Sequence, residues 1–298
     1  MTRADATTSA YSRLERFESV GSTNDVIRAW LVDGTPEVCV AVADEQVAGR
    51  GRLGRDWNAP AGAALLLSAG FRPNWISPDR AWRIGATLAL AMSDAAEEAA
   101  GLPEGTIRLK WPNDLVVEVA GPHAVLFEAL SAEEAAARLA GPLALRKLAG
   151  VLGESQGLGT DDPQLVVGIG VNADWAASDF LPELSGSMSS LREASGGRPI
   201  DREALLASFL AYLEARLEAL RAGFFDLATW GGRQALTGCE VRLESAERAD
   251  GRTVIVAGVD AATGALAVRA AGPGGGDAEP TLVHAGEILR VRLAQASV

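Results

Sequence analysis

Apolar residues recur at the spacing of an amphipathic helix in several segments of the chain. After the polar stretch GSTN, the residues Val26, Ile27, Trp30 and Leu31 repeat with the period of a helix, which Gly34 then ends. Serine, threonine and asparagine ahead of such a pattern are typical of a helix start. The same kind of pattern predicts further helices over residues 80–100, 132–139, 187–195, 201–222 and 225–236.

Short apolar runs between these segments predict the strands of a buried sheet. The runs cover residues 38–43, 63–71, 107–111, 115–119, 147–153 and 165–171. The sequence WPND at 111–114 separates two of them, and proline followed by asparagine and aspartate is typical of a tight turn. Helices interspersed with strands predict a domain of mixed α and β structure in the first part of the chain.

The pattern changes near residue 237. From Gly238 onward, short β-like runs such as CEVRLE, TVIVAGV and GALAVRA follow one another at spacings of about ten residues. Turn residues separate the runs, and GPGGGD at 272–277 is typical of a hairpin tip. We therefore predict two domains, an α/β domain over residues 1–237 and a small all-β domain over residues 238–298.

The composition argues against several classes of protein. No apolar run reaches the roughly 18 residues of a membrane span, and the N-terminus lacks the apolar segment of a secretory signal. Cys39 and Cys239 lie 200 residues apart, and neither they nor His123 and His284 have the spacing of metal ligands. A net charge of −12 argues against nucleic-acid binding. These features predict a cytoplasmic protein with two buried thiols.

This acidic chain nevertheless concentrates cations in one glycine-rich stretch, AGRGRLGRDW at residues 48–57. Arg50, Arg52 and Arg55 are interleaved there with three glycines. The stretch lacks the GxxxxGK[ST] pattern of a P-loop. Glycine lets backbone N–H groups approach a ligand closely, and arginine donates hydrogen bonds to carboxylate and phosphate oxygens. The stretch therefore predicts an anion-binding loop, with a solvated surface turn as the structural alternative.

Three further motifs follow the loop: KWPND at 110–114, RKLAGVLGE at 146–154 and VVGIGVN at 166–172. Each motif by itself is typical of a strand with an adjoining turn. Their order, STN…EQxAGRGRLGRxW…KWPND…KLAG…GIGVN, resembles that of the catalytic domain of biotin–protein ligases over residues 14–236. The β-rich C-terminal segment is similar to the small SH3-like domain of those enzymes.

The resemblance implies both a fold and an activity. The implied fold is α+β, with a mixed-sheet biotin/lipoate ligase-like catalytic domain followed by a small SH3-like β-barrel. The implied enzyme activates biotin with ATP to biotinoyl-5′-AMP and diphosphate, and then transfers biotin to a lysine with release of AMP. That lysine belongs to a biotin carboxyl carrier protein or domain of a carboxylase such as acetyl-CoA carboxylase. Mg²⁺ is the implied metal.

The resemblance also assigns roles to residues that match the family's motifs. Those implied to bind biotin are Ser22, Thr23, Asn24, Gln46, Arg50, Gly51, Arg52, Lys147 and Gly150. Those implied to bind ATP are Arg55, Trp57, Lys110, Asn113, Asp114 and Asn172. Lys147 and Arg52 are the implied catalytic residues, and Asp114 is the candidate to position Mg²⁺ without a metal-binding cluster of its own. A helix cap at Ser22 and a core position for Trp57 are the structural alternatives.

Other functions stay open on the sequence alone. A lipoate– or octanoate–protein ligase shares the catalytic fold, but the polar Ser22, Thr23 and Gln46 favour the ureido ring of biotin over an apolar head group. A biotin-responsive repressor needs a DNA-binding domain, and we expect none because 21 residues precede Ser22. A nucleic-acid-binding module that uses the arginine-glycine loop is disfavoured by the negative charge.

We expect a monomer or a weak homodimer with neither a nucleic-acid nor a membrane partner. The connection 120–145 between the KWPND and KLAG motifs is longer than is typical of the family that the chain resembles. Residues 124–127 within it are a candidate strand. A hairpin, a lid and a docking element for the acceptor are all open interpretations of this connection.

Overall fold

The computed structural model describes residues 10–125, 131–245, 248–271, 279–284 and 287–293. Its helices are α1 (Thr23–Val32), α2 (Trp82–Ala100), α3 (Ala132–Leu139), α4 (Leu191–Ala194), α5 (Arg202–Arg221) and α6 (Leu227–Gly232). Its strands are β1 (Arg13–Val20), β2 (Cys39–Gln46), β3 (Ala64–Phe71), β4 (Arg108–Lys110), β5 (Asp114–Ala120), β6 (Ala144–Gln156), β7 (Gln164–Asn172), β8 (Cys239–Ser245), β9 (Arg248–Val259), β10 (Leu266–Ala270), β11 (Thr281–Val283) and β12 (Glu287–Leu293). Within those described ranges, no helix is long and apolar enough to cross a membrane.

Two sheets organise the strands. The first has the order β1-β2-β3-β7-β6-β5-β4 and is mixed, because β1 and β2 run parallel whereas β2–β3, β4–β5 and β5–β6 are antiparallel. The second has the order β11-β10-β9-β8-β12, and its neighbouring strands run antiparallel. The predicted fold class is confirmed as a mixed α+β fold with a small β domain near the C-terminus.

Three segments differ from the sequence prediction. Strand β1 was not expected, because its charged sequence lies at a sheet edge and none of its eight described residues is buried. The predicted helix 187–195 is reduced to α4, because residues 187–189 hydrogen-bond to the backbone of Lys147 instead. The predicted helix 225–236 ends at Gly232, because Gln234 forms a bridge with Leu109.

Two predicted features fall partly or wholly outside the described residues. In the candidate strand 124–127, residues 124–125 are not in a strand, and residues 126–127 are outside the described ranges. The predicted hairpin tip at 272–277 also lies outside them.

The chain divides into two compact units, Met1–Ala81 with Val151–Val171 and Trp82–Gly150 with Asn172–Val298. We call them unit 1 and unit 2. The predicted domain boundary between residues 237 and 238 stays a prediction. The first strand of the small sheet, β8, begins at Cys239.

In unit 1, helix α1 packs against β2 and β3. Ile27 and Leu31 are buried on the inner face of the helix, together with Cys39 of β2. Gly70 of β3 permits the close approach, since a Cβ atom there would lie 2.6 Å from Ile27 Cγ2 and 2.8 Å from Cys39 Sγ. This packing fixes the first turn of α1, which carries the STN motif, beside the end of β2.

In unit 2, one buried arginine joins three segments. Arg233 is 5% exposed, and it donates to both carboxylate oxygens of Glu97 at 2.7 and 2.9 Å and to Asp94 Oδ1 at 2.8 Å. Its Nη1 also donates to the carbonyl of Ile107 at 2.8 Å. Arg233 therefore ties α2 to the start of β4 and to the segment that follows α6.

The turn between β9 and β10 contacts the same part of unit 2. The indole N–H of Trp82 donates to Ala262 O at 3.2 Å, and that of Trp111 donates to Gly264 O at 3.3 Å. A Cβ atom at Gly264 would lie 2.8 Å from Trp82 Cδ2, so glycine is needed there. The KWPND turn is thereby packed on one side by the small β domain.

Candidate functional site

The predicted site residues fall into two groups, one in each unit. Those in unit 1 are Ser22, Thr23, Asn24, Gln46, Arg50, Gly51, Arg52, Arg55 and Trp57. Those in unit 2 are Lys110, Asn113, Asp114, Lys147, Gly150 and Asn172. Each group has its own internal contacts and is described by itself.

The first group is centred on four buried or half-buried polar side chains, Thr23, Asn24, Gln46 and Ser68, which we call the head cluster. The Thr23 N–H and the Thr23 hydroxyl both donate to Gln46 Oε1, at 2.7 and 3.0 Å. The Ser68 hydroxyl lies 2.7 Å from Thr23 Oγ1 and 2.6 Å from Asn24 Oδ1. Thr23, Asn24 and Ser68 are each at most 4% exposed. The sequence therefore folds three of its predicted biotin residues into one hydrogen-bonded group.

The Gln46 side chain provides a hydrogen-bond partner for the N-terminus of the helix that carries the STN motif. The first N–H groups of a helix lack partners within the helix. Within the described residues, the hydroxyl of Ser22 at the N-cap position makes no capping hydrogen bond. The Gln46 side chain, which projects from the end of β2, accepts from Thr23 N instead. The buried Ser22 side chain is thus not occupied in capping, and its role in ligand binding stays a prediction.

Two residues of this group were missed by sequence reasoning. Ser68 is the hydroxyl residue in the otherwise apolar strand ALLLSAGF, all of which is buried, and that isolated polar position was a usable signal. Glu154 ends the RKLAGVLGE motif, and its carboxylate accepts from Asn24 Nδ2 at 2.6 Å. Nothing in the local sequence pattern connects Glu154 with Asn24, because the contact joins residues 130 positions apart.

Gly168 provides the room in which the head cluster sits. A Cβ atom at Gly168 would lie 2.2 Å from Asn24 Oδ1 and 3.2 Å from Ser68 Oγ. An alanine there would therefore collide with the amide oxygen of Asn24. The first glycine of the GIGVN motif is required by the polar side chains packed against it.

The arginine-glycine loop closes on itself through backbone hydrogen bonds. Trp57 N donates to Gly49 O at 2.9 Å, Gly51 N donates to Arg55 O at 2.7 Å, and residues 50 and 56 form a bridge. Leu53 at the tip has φ of 58°, which is unusual for a residue with a side chain, and it is 73% exposed. The loop thus projects an exposed tip from a base held by strand-like pairing.

The arginine at the base of the loop is engaged by a carboxylate of α1. Arg50 donates through two nitrogens to the two oxygens of Asp25, at 2.7 and 2.8 Å. This hydrogen bonding lowers the pKa of Asp25 below its ordinary value and raises the pKa of Arg50. Arg52 and Arg55 lie beyond it, half-buried and exposed respectively. Their contacts with carboxylate and phosphate stay predictions.

Trp57 packs on the second glycine of the GIGVN motif. A Cβ atom at Gly170 would lie 2.6 Å from both Cε2 and Nε1 of the indole ring. The ring is half-buried, so it is neither a core side chain nor a fully exposed one. This position leaves its predicted role beside the adenine open.

The second group is centred on an ion pair. Lys147 Nζ lies 2.6 Å from Asp114 Oδ1, and the two side chains are 26% and 19% exposed. In the sheet, Asp114 is opposite Lys110 on β4 and opposite Gly150 on β6. The structure therefore places four of the predicted residues around the KWPND turn.

The segment 187–189 supports both Lys147 and Asn172. Lys147 N donates to Ser187 O, and Ser189 N donates to Lys147 O, each at 2.8 Å. The amide Nδ2 of Asn172, which is 1% exposed, donates to Ser189 O at 3.0 Å. Asn172 thus has a structural role in fixing this segment, while its predicted role in ATP binding is untested.

The placement of the chain's few lysines is a further sequence signal that points to this site. The chain contains two lysines, Lys110 and Lys147, whereas the other 25 of its 27 Lys and Arg residues are arginines. Both lysines are on strands that pair with β5, and both are in register with its first residues. Because the other cationic positions are arginines, the compact ammonium of lysine at these two positions indicates a local chemical requirement that arginine does not meet.

The described residues do not form a metal site of their own. Among them, no three His, Cys, Asp or Glu side chains are grouped so that they could hold a metal ion. Asp114 has one oxygen on the Lys147 ammonium. Mg²⁺ is commonly held by one or two carboxylates together with substrate phosphates, so Asp114 fits an ion that arrives with a nucleotide better than a resident metal. Cys39 and Cys239 are buried free thiols, and burial raises the pKa of each.

Known proteins resemble this chain in sequence. Residues 17–172, more than half of the chain, match the model of the biotin/lipoate A/B protein ligase family. The biotin–[acetyl-CoA-carboxylase] ligase of Mycobacterium tuberculosis is 29% identical over 239 residues, which are 79% of this chain and 76% of that protein. The bifunctional ligase/repressor BirA of Bacillus spizizenii is 28% identical over 197 residues, which are 66% of this chain. The aligned residues make up 51% of BirA, so the match spans about half of that relative's length.

The fold also matches solved structures. A biotin protein ligase from Aquifex aeolicus in complex with biotin and ATP superposes with a TM-score of 0.68 at 23% identity. The match covers 95% of this chain and 100% of that chain. At this level of identity, the likeness establishes the fold. With the family match to residues 17–172, it follows that the chain belongs to the biotin/lipoate A/B protein ligase family.

Proposed function

We propose that this chain is an ATP-dependent biotin–protein ligase. It activates biotin to biotinoyl-5′-AMP with release of diphosphate, and then transfers biotin to a lysine of a biotin carboxyl carrier protein or domain. Relatives named biotin–[acetyl-CoA-carboxylase] ligase support this assignment and favour a carrier that belongs to acetyl-CoA carboxylase.

The observation that carries the proposal is the polar character of the buried head cluster. The bicyclic head of biotin contains a urea, which offers one carbonyl acceptor and two N–H donors. A buried polar group left without a partner costs about 1–3 kcal/mol, so such a ligand needs hydroxyl and amide partners. Thr23, Asn24, Gln46 and Ser68 supply both kinds. The dithiolane of lipoate or an octanoyl chain offers no comparable set of donors and acceptors to the hydrogen-bonding capacity that these side chains have left, which disfavours that branch of the family.

The first step joins two anions. A carboxylate oxygen of biotin forms a bond to the α-phosphorus of ATP, and the bond from that phosphorus to the bridging oxygen of diphosphate breaks. A carboxylate needs no general base, so the protein's contribution is orientation and positive charge. We assign that charge to Lys147 and Arg52, with Arg50, Gly51 and Gly150 along the acid.

Asp114 orients the Lys147 ammonium in this scheme. An ammonium has three N–H donors, so the contact with Asp114 at 2.6 Å aligns it without excluding oxygen atoms of the substrates. The residues assigned to ATP are Arg55, Trp57, Lys110, Asn113, Asp114 and Asn172. Mg²⁺ would enter with the phosphates of ATP and neutralise part of their charge.

In the second step, the neutral amine of the acceptor lysine attacks the acyl carbon of biotinoyl-5′-AMP. An amide bond forms, the bond from that carbon to the phosphate oxygen breaks, and AMP leaves while the nitrogen loses a proton. The carrier is the protein partner in this scheme. A cytoplasmic location, a monomer or weak homodimer, and the absence of a nucleic-acid partner stay predictions.

The test is to detect the adenylate directly. The protein is mixed with biotin, lipoate, ATP and Mg²⁺, and the acyl adenylates are measured by mass spectrometry, with ATP omitted as the control. Biotinoyl-AMP without lipoyl-AMP is expected. Lipoyl-AMP would move the protein to the lipoate branch, and the absence of both would refute the ligase assignment. Addition of a purified biotin carboxyl carrier domain should then produce a biotinylated carrier.

A further inference from the structure

We propose that Glu154 is a positioning residue that sets the direction of the hydrogen bonds in the head cluster, and thereby its preference for a cyclic urea. The inference rests on the proposed biotin–protein ligase function and adds to it a residue that acts through Asn24. Glu154 lies on β6, and its side chain is 32% exposed.

The contact of Glu154 with Asn24 decides which way the Asn24 amide faces. Glu154 Oε2 lies 2.6 Å from Asn24 Nδ2 and 2.9 Å from an Arg28 guanidinium nitrogen. A carboxylate only accepts hydrogen bonds, so the NH₂ end of the amide must face it. Arg28 pairs with the same carboxylate oxygen and so helps to hold it in place. The oxygen end of the Asn24 amide is therefore directed toward Ser68, at 2.6 Å.

The orientation of the Asn24 amide, together with Gln46, determines which groups donate and which accept in the rest of the head cluster. Gln46 Oε1 can only accept, so the single hydroxyl proton of Thr23 is donated to it. Thr23 Oγ1 and Asn24 Oδ1 are then both acceptors toward Ser68, which donates its one proton between them. With the oxygen of Gln46 occupied, its NH₂ group is the end that remains for a ligand carbonyl.

The surroundings prevent the cluster from adjusting in other ways. A Cβ atom at Gly168 would lie 2.2 Å from Asn24 Oδ1, which shows how closely the backbone of β7 packs on this amide. Ser68 is fully buried and Asn24 is 4% exposed, so bulk water does not replace a lost partner. If the partner at position 154 could donate as well as accept, the amide of Asn24 could turn around. Ser68 would then face an NH₂ group and would redirect its proton.

Two substitutions distinguish a role of Glu154 in orienting the Asn24 amide from a role as a simple packing contact. In Glu154→Gln, the size is kept and the carboxylate is lost, so both orientations of the Asn24 amide become available. We expect the KM for biotin to rise on the order of tenfold, with a smaller change in kcat and in the KM for ATP. In Asn24→Asp, two carboxylates face each other at the 2.6 Å contact, and we expect a larger rise.

The double variant N24D/E154Q is the decisive measurement. The new carboxylate at position 24 accepts from the new amide at position 154 through one oxygen and from Ser68 through the other. The hydrogen bond between positions 24 and 154 is then reversed, and Ser68 again donates to an acceptor at position 24, as it does in the wild type. We expect the KM for biotin to return to within about threefold of the wild-type value, because the donor and acceptor pattern is again complete. A role of Glu154 as simple structural support predicts additive losses instead.

Glu15→Gln is the matched control, because it removes a carboxylate that pairs with an arginine elsewhere in unit 1. Its KM for biotin should equal that of the wild type. Thermal unfolding of each variant identifies any that fail to fold, and if E154Q does not fold, the comparison of N24D with N24D/E154Q decides.

A wild-type KM in E154Q, or a double variant no better than N24D, would overturn the inference while the ligase assignment stands. A wild-type protein that forms no biotinoyl-AMP would instead refute the proposed function, and this inference with it.

Discussion

Lys147 is the residue whose replacement most directly separates catalysis from folding. In Lys147→Met, the side chain keeps its length and loses its ammonium, while the backbone contacts with residues 187 and 189 are preserved. If the ammonium stabilises the charge that develops at the reacting oxygens, its removal should slow biotinoyl-AMP formation by roughly 10²–10³-fold. This is the cost of deleting one preorganised donor in other active sites, about 2.7–4 kcal/mol.

The expected effect on stability is much smaller. The ion pair with Asp114 is partly solvated, with side chains that are 26% and 19% exposed. Such a pair contributes up to about 1 kcal/mol to the free energy of unfolding. In a protein of this size, that change lowers the melting temperature by about 2–4 °C or less. A large loss of rate with a small loss of stability is therefore the signature of a catalytic role.

The assay is the initial rate of biotinoyl-AMP formation at saturating biotin and ATP, together with a thermal unfolding curve. Arg146→Met is the matched control, because it removes a cation from the preceding residue of β6, whose side chain points to the opposite face of the sheet. R146M should retain the wild-type rate. A wild-type rate in K147M, or an equal loss in both variants, would refute the assignment of Lys147.

Three further predictions follow from individual contacts. Gly170→Ala should displace the indole of Trp57, since the new Cβ lies 2.6 Å from the ring, and should lower stability by about 1–3 kcal/mol and raise the KM for ATP; wild-type values of both would contradict this packing. Arg233→Met should lower the free energy of unfolding in urea by about 3–5 kcal/mol, because the buried Glu97 loses its cation. R233M/E97M should recover part of that loss, because the backbone of Ile107 and the carboxylate of Asp94 still lack the partners that Arg233 and Glu97 supplied. For Asp25, whose pKa is lowered in the fold, the stabilisation is present above the unfolded-state pKa and disappears as pH falls through the folded-state value. The free energy of unfolding, measured between pH 2.5 and 7, should therefore fall less steeply with decreasing pH in D25N than in the wild type. Identical slopes in the two proteins would exclude a contribution of Asp25 to the pH dependence.

The helices with strong apolar periodicity were predictable from sequence. The long helix predicted at 201–222 is confirmed as α5, Arg202–Arg221. It was predictable because the side chain of Asp201 caps its N-terminus and because it buries a row of leucines. The edge strand β1 was not predictable, because its register comes from pairing with β2 rather than from an apolar face of its own. Local sequence patterns identify elements that bury an apolar face of their own. They miss elements whose structure depends on pairing with a neighbouring strand.

The candidate site divides in the same way. The GRGRLGR, KWPND, KLAG and GIGVN motifs could be found in the sequence because their glycines, prolines and charges are unusual in a strand or a helix, and STN could be found because its polar residues precede an apolar helical pattern. The roles of Gly168 and Gly170 were not visible, because they depend on Asn24 and Trp57, which are remote in sequence and lie against them in the fold. Glu154 was missed for the same reason, since its partner Asn24 is 130 residues away.

For the proposed function, in which an acyl phosphate anhydride is made, the scarcity of lysine has a chemical consequence. Such a compound acylates neutral amines, whereas the arginine guanidinium stays protonated and does not react. This chain offers two side-chain amines, and the one on Lys147 is held by a carboxylate. If the proposed function holds, few side chains of this protein can be acylated by its activated product, and amine-directed reagents such as succinimidyl esters have two side-chain targets, Lys110 and Lys147.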